Sequence, residues 1–210
     1  MKKLQAALDL FEIKAALNVL ERIGTYIDII ELGTPLCISE GRRIFREVKA
    51  KYPGKIVFAD IKIMDGGGVL SRLAFEAGAD MVSVLAAAED NTIRAAVECA
   101  KQYGGKVLVD MCSIKNMEER AKTIAALGPD YICCHVGYDI QAAGADPVEE
   151  LRRLDCVSVP KAIAGGIRLE NFGEALKSPA EVIIVGGGLY NQENMEAIAE
   201  TMRNMLAQHG

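Results

Sequence analysis

Short apolar runs alternate with longer amphipathic ones along the chain. The apolar runs begin near Leu4, Tyr26, Lys55, Asp80, Lys106, Asp130, Val157 and Glu181. Their length and composition predict β-strands of the kind buried under helices. Each is followed by residues with a helical period, the last such stretch covering 192–207. Strand starts lie about 22 to 29 residues apart, close to the length of one βα unit. The junctions repeat as well: Glu-Ala-Gly-Ala-Asp at 76–80 and Ala-Leu-Gly-Pro-Asp at 126–130 each end a helix and open a strand. Gly78 and Gly128 supply the left-handed residue that stops a helix, and Pro129 prevents its continuation.

Eight consecutive units predict an α/β fold closed as a single (β/α)8 barrel of the TIM type, one domain over residues 1–210. An open doubly wound sheet would normally carry Gly-x-Gly-x-x-Gly after its first strand. Here that strand ends Leu8-Asp9-Leu10, and no Ser/Gly-rich linker marks a second domain.

Composition agrees with buried parallel strands. Half of the residues are hydrophobic but only 5% are aromatic, with no tryptophan, so the core must be built from Ala, Ile, Leu and Val. The net charge of −5 argues against a nucleic-acid or anionic-membrane surface, though not against a local anion pocket of backbone amides. No apolar run approaches the roughly 18 residues of a bilayer span. Asp9 and Glu12 interrupt the N-terminal segment, so no signal peptide is expected. The six cysteines form no Cys-x-x-Cys pair, and adjacent Cys133 and Cys134 would point to opposite faces of a strand. They read as small buried hydrophobes in a reducing, cytoplasmic setting.

Polar residues gather where a barrel keeps its chemistry, at the C-terminal ends of the strands. Strand one ends at Asp9, strand two at Glu31, strand three at Asp60 and Lys62, strand five at Asp110 and strand six at His135. Strands seven and eight end in Gly165-Gly166 and Gly186-Gly187-Gly188. Asp28 and Asp80 fall at strand beginnings and read as stabilising or surface groups. Taken singly, Asp9 or Asp110 could cap the following helix and His135 could be a core histidine. Their convergence on one rim favours a site.

The sharpest local pattern is Asp60-x-Lys62-x-x-Asp65. Period two puts Asp60 and Lys62 on the inner face of strand three, where a lysine needs anions beside it. Asp65 lies beyond the strand, entering the glycine run 66–68. Glu31 and Asp60 could share a divalent cation, Mg2+ with retained waters, or could equally pair with Lys62. Without side chains, Gly165, Gly166, Gly186 and Gly187 can bring backbone amides onto a phosphate, as loops after strands seven and eight commonly do.

The run Phe-Ala-Asp-Ile-Lys-Ile-Met-Asp-Gly-Gly at 58–67 resembles the Asp-x-Lys-x-x-Asp motif of the orotidine-monophosphate-decarboxylase suprafamily. Within it the chain is most similar to the 3-hexulose-6-phosphate synthases. Stretches at 7–10, 31–35, 108–111, 135–144, 162–167 and 184–188 keep that family's order over nearly the whole chain. The resemblance implies a Mg2+-dependent aldol reaction of formaldehyde with D-ribulose 5-phosphate, and its reversal, through an enediolate. It implies Glu31 and Asp60 as metal ligands, Lys62 as a second cation and His135 as the acid/base. Asp9, Asp110 and Asp139 would bind sugar hydroxyls or orient catalytic groups. It further implies a homodimer in which Asp65 reaches the neighbouring active site. The alternative is 3-keto-L-gulonate 6-phosphate decarboxylase; those enzymes carry an arginine three residues after the histidine and a glutamate ending strand five. This chain has Tyr138 and Asp110 there, which favours the synthase. A catalytically silent sugar-phosphate binder is a third reading, opposed by the intact Asp60, Lys62, Asp65 and His135 set.

Overall fold

The structure, a computed structural model, describes residues 1–209. The strands are β1 (Lys3–Leu8), β2 (Ile29–Leu32), β3 (Ile56–Ile63), β4 (Met81–Leu85), β5 (Lys106–Asp110), β6 (Tyr131–His135), β7 (Lys161–Ala164) and β8 (Val182–Val185). They close in sequence order into one barrel, every neighbour parallel and β8 paired with β1. This is the (β/α)8 architecture expected. The helices are α1 (Ile13–Ile23), α2 (Thr34–Glu40), α3 (Arg43–Lys51), α4 (Gly67–Glu76), α5 (Asp90–Tyr103), α6 (Met117–Ala125), α7 (Pro147–Leu151), α8 (Leu169–Lys177), α9 (Gly187–Tyr190) and α10 (Met195–Gln208).

Strand alternation divides the core in two. Ile29, Phe58, Met81, Leu108 and Tyr131 point inward and fill the barrel, while their sequence neighbours pack outward under the helices. Cys133 faces inward and Cys134 outward, as their adjacency requires. All six cysteines are free, but Cys156 is exposed and Cys37 and Cys112 are half-buried, so only three behave as core residues.

Some boundaries differ from the apolar pattern. β2 starts three residues after Tyr26, whose carbonyl is taken by the Arg203 Nε–H rather than by a strand partner. β7 starts at Lys161 rather than Val157, because Pro160 has no N–H to give a ladder. One helical stretch after β2 is two helices, parted at Gly41 with φ 59°. At Gly78 and Gly128, φ is 100° and 79°, the left-handed stop that the repeated junctions predict.

The N-terminal rim is tied by carboxylates. Asp28, Asp80 and Asp130 accept the backbone N–H of Leu4, Val57 and Val107 at 2.8, 2.7 and 2.9 Å, each on the preceding strand. Lys49 and Arg203 neutralise Asp80 and Asp28 at 2.7 and 2.8 Å. These groups hold the barrel's base and leave the opposite rim for chemistry.

Candidate active site

Among the described residues, eight polar side chains are buried, and five of them line one end of the barrel interior: Gln5, Glu31, Asp60, Ser83 and Asp110. Buried polarity is costly unless it is paired or used, so its concentration marks the site.

Asp60 and Lys62 lie on a distorted part of β3. The pairing with β4 runs Ala59 to Val82 and then Ile63 to Val84, so β3 carries two extra residues in that interval. Lys62 there has φ 44°, a left-handed conformation that side-chain-bearing residues avoid. The Ser83 hydroxyl sits in this bulge, accepting the Lys62 N–H and donating to Asp60 Oδ1, both at 2.8 Å. The bulge thereby turns Lys62 into the mouth while keeping it over Asp60.

A continuous polar line follows. Lys62 Nζ is 2.7 Å from Asp60 Oδ2 and 3.6 Å from Asp110 Oδ2. Asp110 Oδ2 in turn meets His135 Nδ1 at 2.9 Å, while its Oδ1 accepts the Cys112 N–H at 2.9 Å. The Thr34 hydroxyl stands 2.8 Å from both the backbone oxygen and Oδ2 of Asp60. Glu31 Oε2 accepts the Gln5 Nε2–H at 2.6 Å. Asp9, just past β1, donates its N–H to the Tyr190 hydroxyl at 3.1 Å.

The charges perturb one another. Burial works against the Lys62 cation, but Asp60 and Asp110 outweigh it and raise its pKa. Burial likewise opposes ionised Asp110; the hydrogen bond and charge of His135, with Lys62 and the Cys112 amide, hold it below its ordinary value. For His135, the bond to Asp110 overcomes burial and raises the imidazole above 6.5. Burial, then the charge of Asp60, pushes Glu31 well up. For Asp9, desolvation of its carboxyl within the rim, then the charge of Asp60, raises the pKa, with Lys62 and His135 opposing. Four carboxylates thus face one lysine and one histidine, an excess of negative charge suited to a bound cation.

The glycine loops adjoin this line. A Cβ on Gly165, which has φ 103°, would lie 2.3 Å from the Val136 oxygen; one on Gly188 would lie 2.6 Å from the Ile167 oxygen. The loop after β7 therefore lies against the segment after β6 at Gly165 and against the start of α9 at Gly188. Gly186 brings the second loop beside Asp9, with its would-be Cβ 3.7 Å from Asp9 Oδ2. Gly166 lies in the first of these loops, and Gly187 opens α9 directly after Gly186.

Asp65 and Asp139 lie apart from this polar line, Asp65 as a residue expected to serve the neighbouring site. Asp65 is exposed, and its carboxylate accepts the Gly66 N–H at 2.7 Å, with no described bond to this chain's polar line. Asp139 is exposed on the 3-10 turn Tyr138–Ala143, with no described hydrogen bond or ion pair to the site. Conversely, Gln5, Thr34, Ser83 and Tyr190 join the site without having been singled out. Ser83 could have been found: it is the lone polar residue of an otherwise apolar strand, at an inward position. A surface cavity of about 420 Å³ around Arg120 shares no lining residue with the site. Arg120 is itself occupied there by the Ala86 and Ala88 carbonyls and Asp90.

The sequence profile described as orotidine 5'-phosphate decarboxylase / HUMPS family matches residues 2–202. The chain belongs to that family. It is an enzyme family, and relatives within it are close. The chain is 44% identical to 3-hexulose-6-phosphate synthase of Bacillus subtilis (strain 168) over 208 residues, covering 98% of this chain and 99% of the relative. It is 40% identical to the synthase of Mycobacterium gastri over 206 residues, covering 98% and 100%. Among solved structures, 3-hexulose-6-phosphate synthase from Salmonella typhimurium superposes with a TM-score of 0.96 at 36% identity, covering 99% of this chain and 100% of that one. Like those relatives, this family member is an aldolase-type lyase. Among the described residues no helix is long and apolar enough to cross a membrane.

Proposed function

We propose that this chain condenses formaldehyde with D-ribulose 5-phosphate to give D-arabino-3-hexulose 6-phosphate, and catalyses the reverse cleavage, through an enediolate. The observation that carries this reading is the Asp60–Lys62–Asp110–His135 line, in which a half-buried cation and a polarised imidazole share one mouth. Because His135 Nδ1 is turned to Asp110, the proton-accepting nitrogen of its neutral form is Nε2. That nitrogen takes a proton from C1 of the ketose, beside the C2 carbonyl. The electron pair left on C1 forms the new bond to the formaldehyde carbon, and the aldehyde oxygen gains a proton. Lys62 holds the negative charge that develops on the ketose oxygens. The bare amides at Gly165, Gly166, Gly186 and Gly187 hold the 5-phosphate, and Asp9 beside them accepts a sugar hydroxyl.

Mg2+ fits the donor set. Asp60 and Glu31 are hard oxygen ligands. The buried side-chain atoms lacking any partner, among the described residues, are Gln5 Oε1 and Ser71 Oγ. Glu31 Oε1, which no described bond engages, therefore retains access to the mouth. No cluster of three His, Cys, Asp or Glu ligands occurs among the described residues, so water and substrate would complete the shell, as is usual for Mg2+. When bound, the ion supplies Lewis acidity to the ketose oxygens.

The chain acts as a homodimer in which Asp65 serves the neighbouring mouth. Supporting this, exposed Asp65 lies beside an apolar strip of Met64, Val69, Leu70 and Leu73, a surface suited to a second copy. Formaldehyde consumption with ribulose 5-phosphate and Mg2+, stopped by EDTA, tests the reading. No consumption overturns it, and release of carbon dioxide from the keto-gulonate phosphate alone points to the decarboxylase.

A further inference from the structure

Gln5 is fully buried, on β1, in the apolar layer that fills the barrel below the site. Its register partners Ile29 and Ile184 are aliphatic, and a leucine or methionine would pack there without introducing a polar group. The glutamine brings a liability with it, since its Oε1 has no partner and an unsatisfied buried acceptor is destabilising. What it adds over an aliphatic residue is the Nε2–H, directed to Glu31 Oε2 at 2.6 Å. The route is open because the residue opposite Glu31 on β1 is Ala7, whose small side chain lets the Gln5 carboxamide rise past it. With Oε2 taken from below, Glu31 is left with Oε1 for the mouth.

We propose that Gln5 is a positioning residue, which fixes the Glu31 carboxylate from beneath so that its free oxygen is presented to the divalent cation. This rests on the metal reading given above, because Gln5 itself touches neither substrate nor cation. Residues that orient a ligand in this way typically contribute about 10–100-fold to metal affinity.

The test is Mn2+ binding to the purified full chain, followed by electron paramagnetic resonance of the free ion, with circular dichroism to verify folding. Gln5→Met keeps length and bulk but removes the N–H; it is expected to weaken Mn2+ binding about 10–100-fold. Gln5→Asn keeps a carboxamide but ends one methylene short, so it is expected to weaken binding too, and it carries the test should Gln5→Met fail to fold. Ser71→Ala removes the other unpartnered buried oxygen, on α4 away from the site, and is expected to leave binding unchanged. A purely structural role for Gln5 would shift the unfolding midpoint while leaving the Mn2+ affinity of a folded variant within about twofold of wild type, and that result overturns the proposal. Wild-type protein that binds no Mn2+ overturns the metal reading and this role with it, so the two failures are distinguishable.

Discussion

Replacing Asp110 by Asn removes the negative charge that sustains the His135 imidazolium. The contact is 2.9 Å long, and the Asp110 side chain is only 5% exposed, so water screens it little. A hydrogen bond to a charged group contributes about 1.5–3 kcal/mol, and one pKa unit corresponds to about 1.4 kcal/mol. Asp110→Asn should therefore lower the His135 pKa, because burial then acts on the imidazolium without its carboxylate partner. Lys62, 3.6 Å from Asp110 Oδ2, pushes in the same direction once that carboxylate no longer offsets it. Nuclear magnetic resonance titration of labelled histidine is direct, because the chain has only two histidines and the His135→Gln spectrum identifies the His135 signal. The wild-type midpoint should lie above 6.5, and the rise of kcat/KM with pH should follow it. In the variant both should move down together, with a lower plateau because the base is weaker.

Stability carries a matching sign. His135 has a raised folded pKa, so its contribution is complete below 6.5 and is lost as pH rises through the raised value. Asp110 has a lowered one, so its contribution is present above 3.8 and is lost as pH falls through the lower folded value. The wild-type advantage over Asp110→Asn in denaturant unfolding should peak between about pH 4 and 6.5 and shrink above it. A His135 midpoint that stays within about 0.3 unit of wild type would refute the coupling.

Mixing tests the shared site: Lys62→Ala and Asp65→Ala homodimers should each be inactive, whereas their re-equilibrated mixture should recover about one quarter of wild-type turnover. Half of the dimers are then mixed, each with one intact site, and no recovery would assign Asp65 to its own chain. Lys62 should also invert the usual order of substitutions. Lys62→Ala abolishes turnover and leaves Asp60 and Asp110 without their cation, costing about 1–3 kcal/mol of stability. Lys62→Gly should be about 1 kcal/mol more stable than Lys62→Ala, because φ 44° is free of penalty only for glycine; equal or reversed midpoints in urea contradict the strain.

The barrel was legible because its periods and stops are local. Strand alternation, the Gly78 and Gly128 stops and the strand-end carboxylates all lie within a few residues of what they determine. Lys62 shows how far such reasoning reaches. Period two gives its face correctly, but the bulge depends on the Ser83 hydroxyl from the next strand, and no spacing within 56–63 reports that. Tyr190 meets Asp9 only through closure of β8 on β1, a contact 181 residues apart in sequence. Asp139 comes from the family resemblance alone: no spacing within the chain points to it, and on its 3-10 turn it is exposed.

The two rims use the same residue type for opposite purposes. At the base, Asp80 is half-exposed and neutralised: its Oδ2 takes both the Val57 N–H and the Lys49 ammonium. At the mouth, Glu31 is buried with one oxygen unengaged, and burial together with Asp60 drives its pKa up. A group whose folded pKa is raised above 4.5 makes ionisation cost stability, increasingly so as pH climbs past that value. The neutral isostere should therefore act with opposite sign at the two ends. Asp80→Asn keeps an oxygen for the Val57 N–H but loses the charge that holds Lys49, and should destabilise the chain by about 1 kcal/mol. Glu31→Gln removes the buried charge while keeping a carbonyl for the Gln5 N–H. In metal-free buffer above neutral pH it should stabilise the chain by about 1–2 kcal/mol, the scale of relief available at functional sites. Denaturant midpoints with and without Mg2+ decide the matter. Added Mg2+ should stabilise the wild type and not Glu31→Gln, so the variant's advantage should narrow as metal is added. If Glu31→Gln is less stable than wild type without metal, the mouth carboxylate is there to hold the fold, and the division between the rims fails.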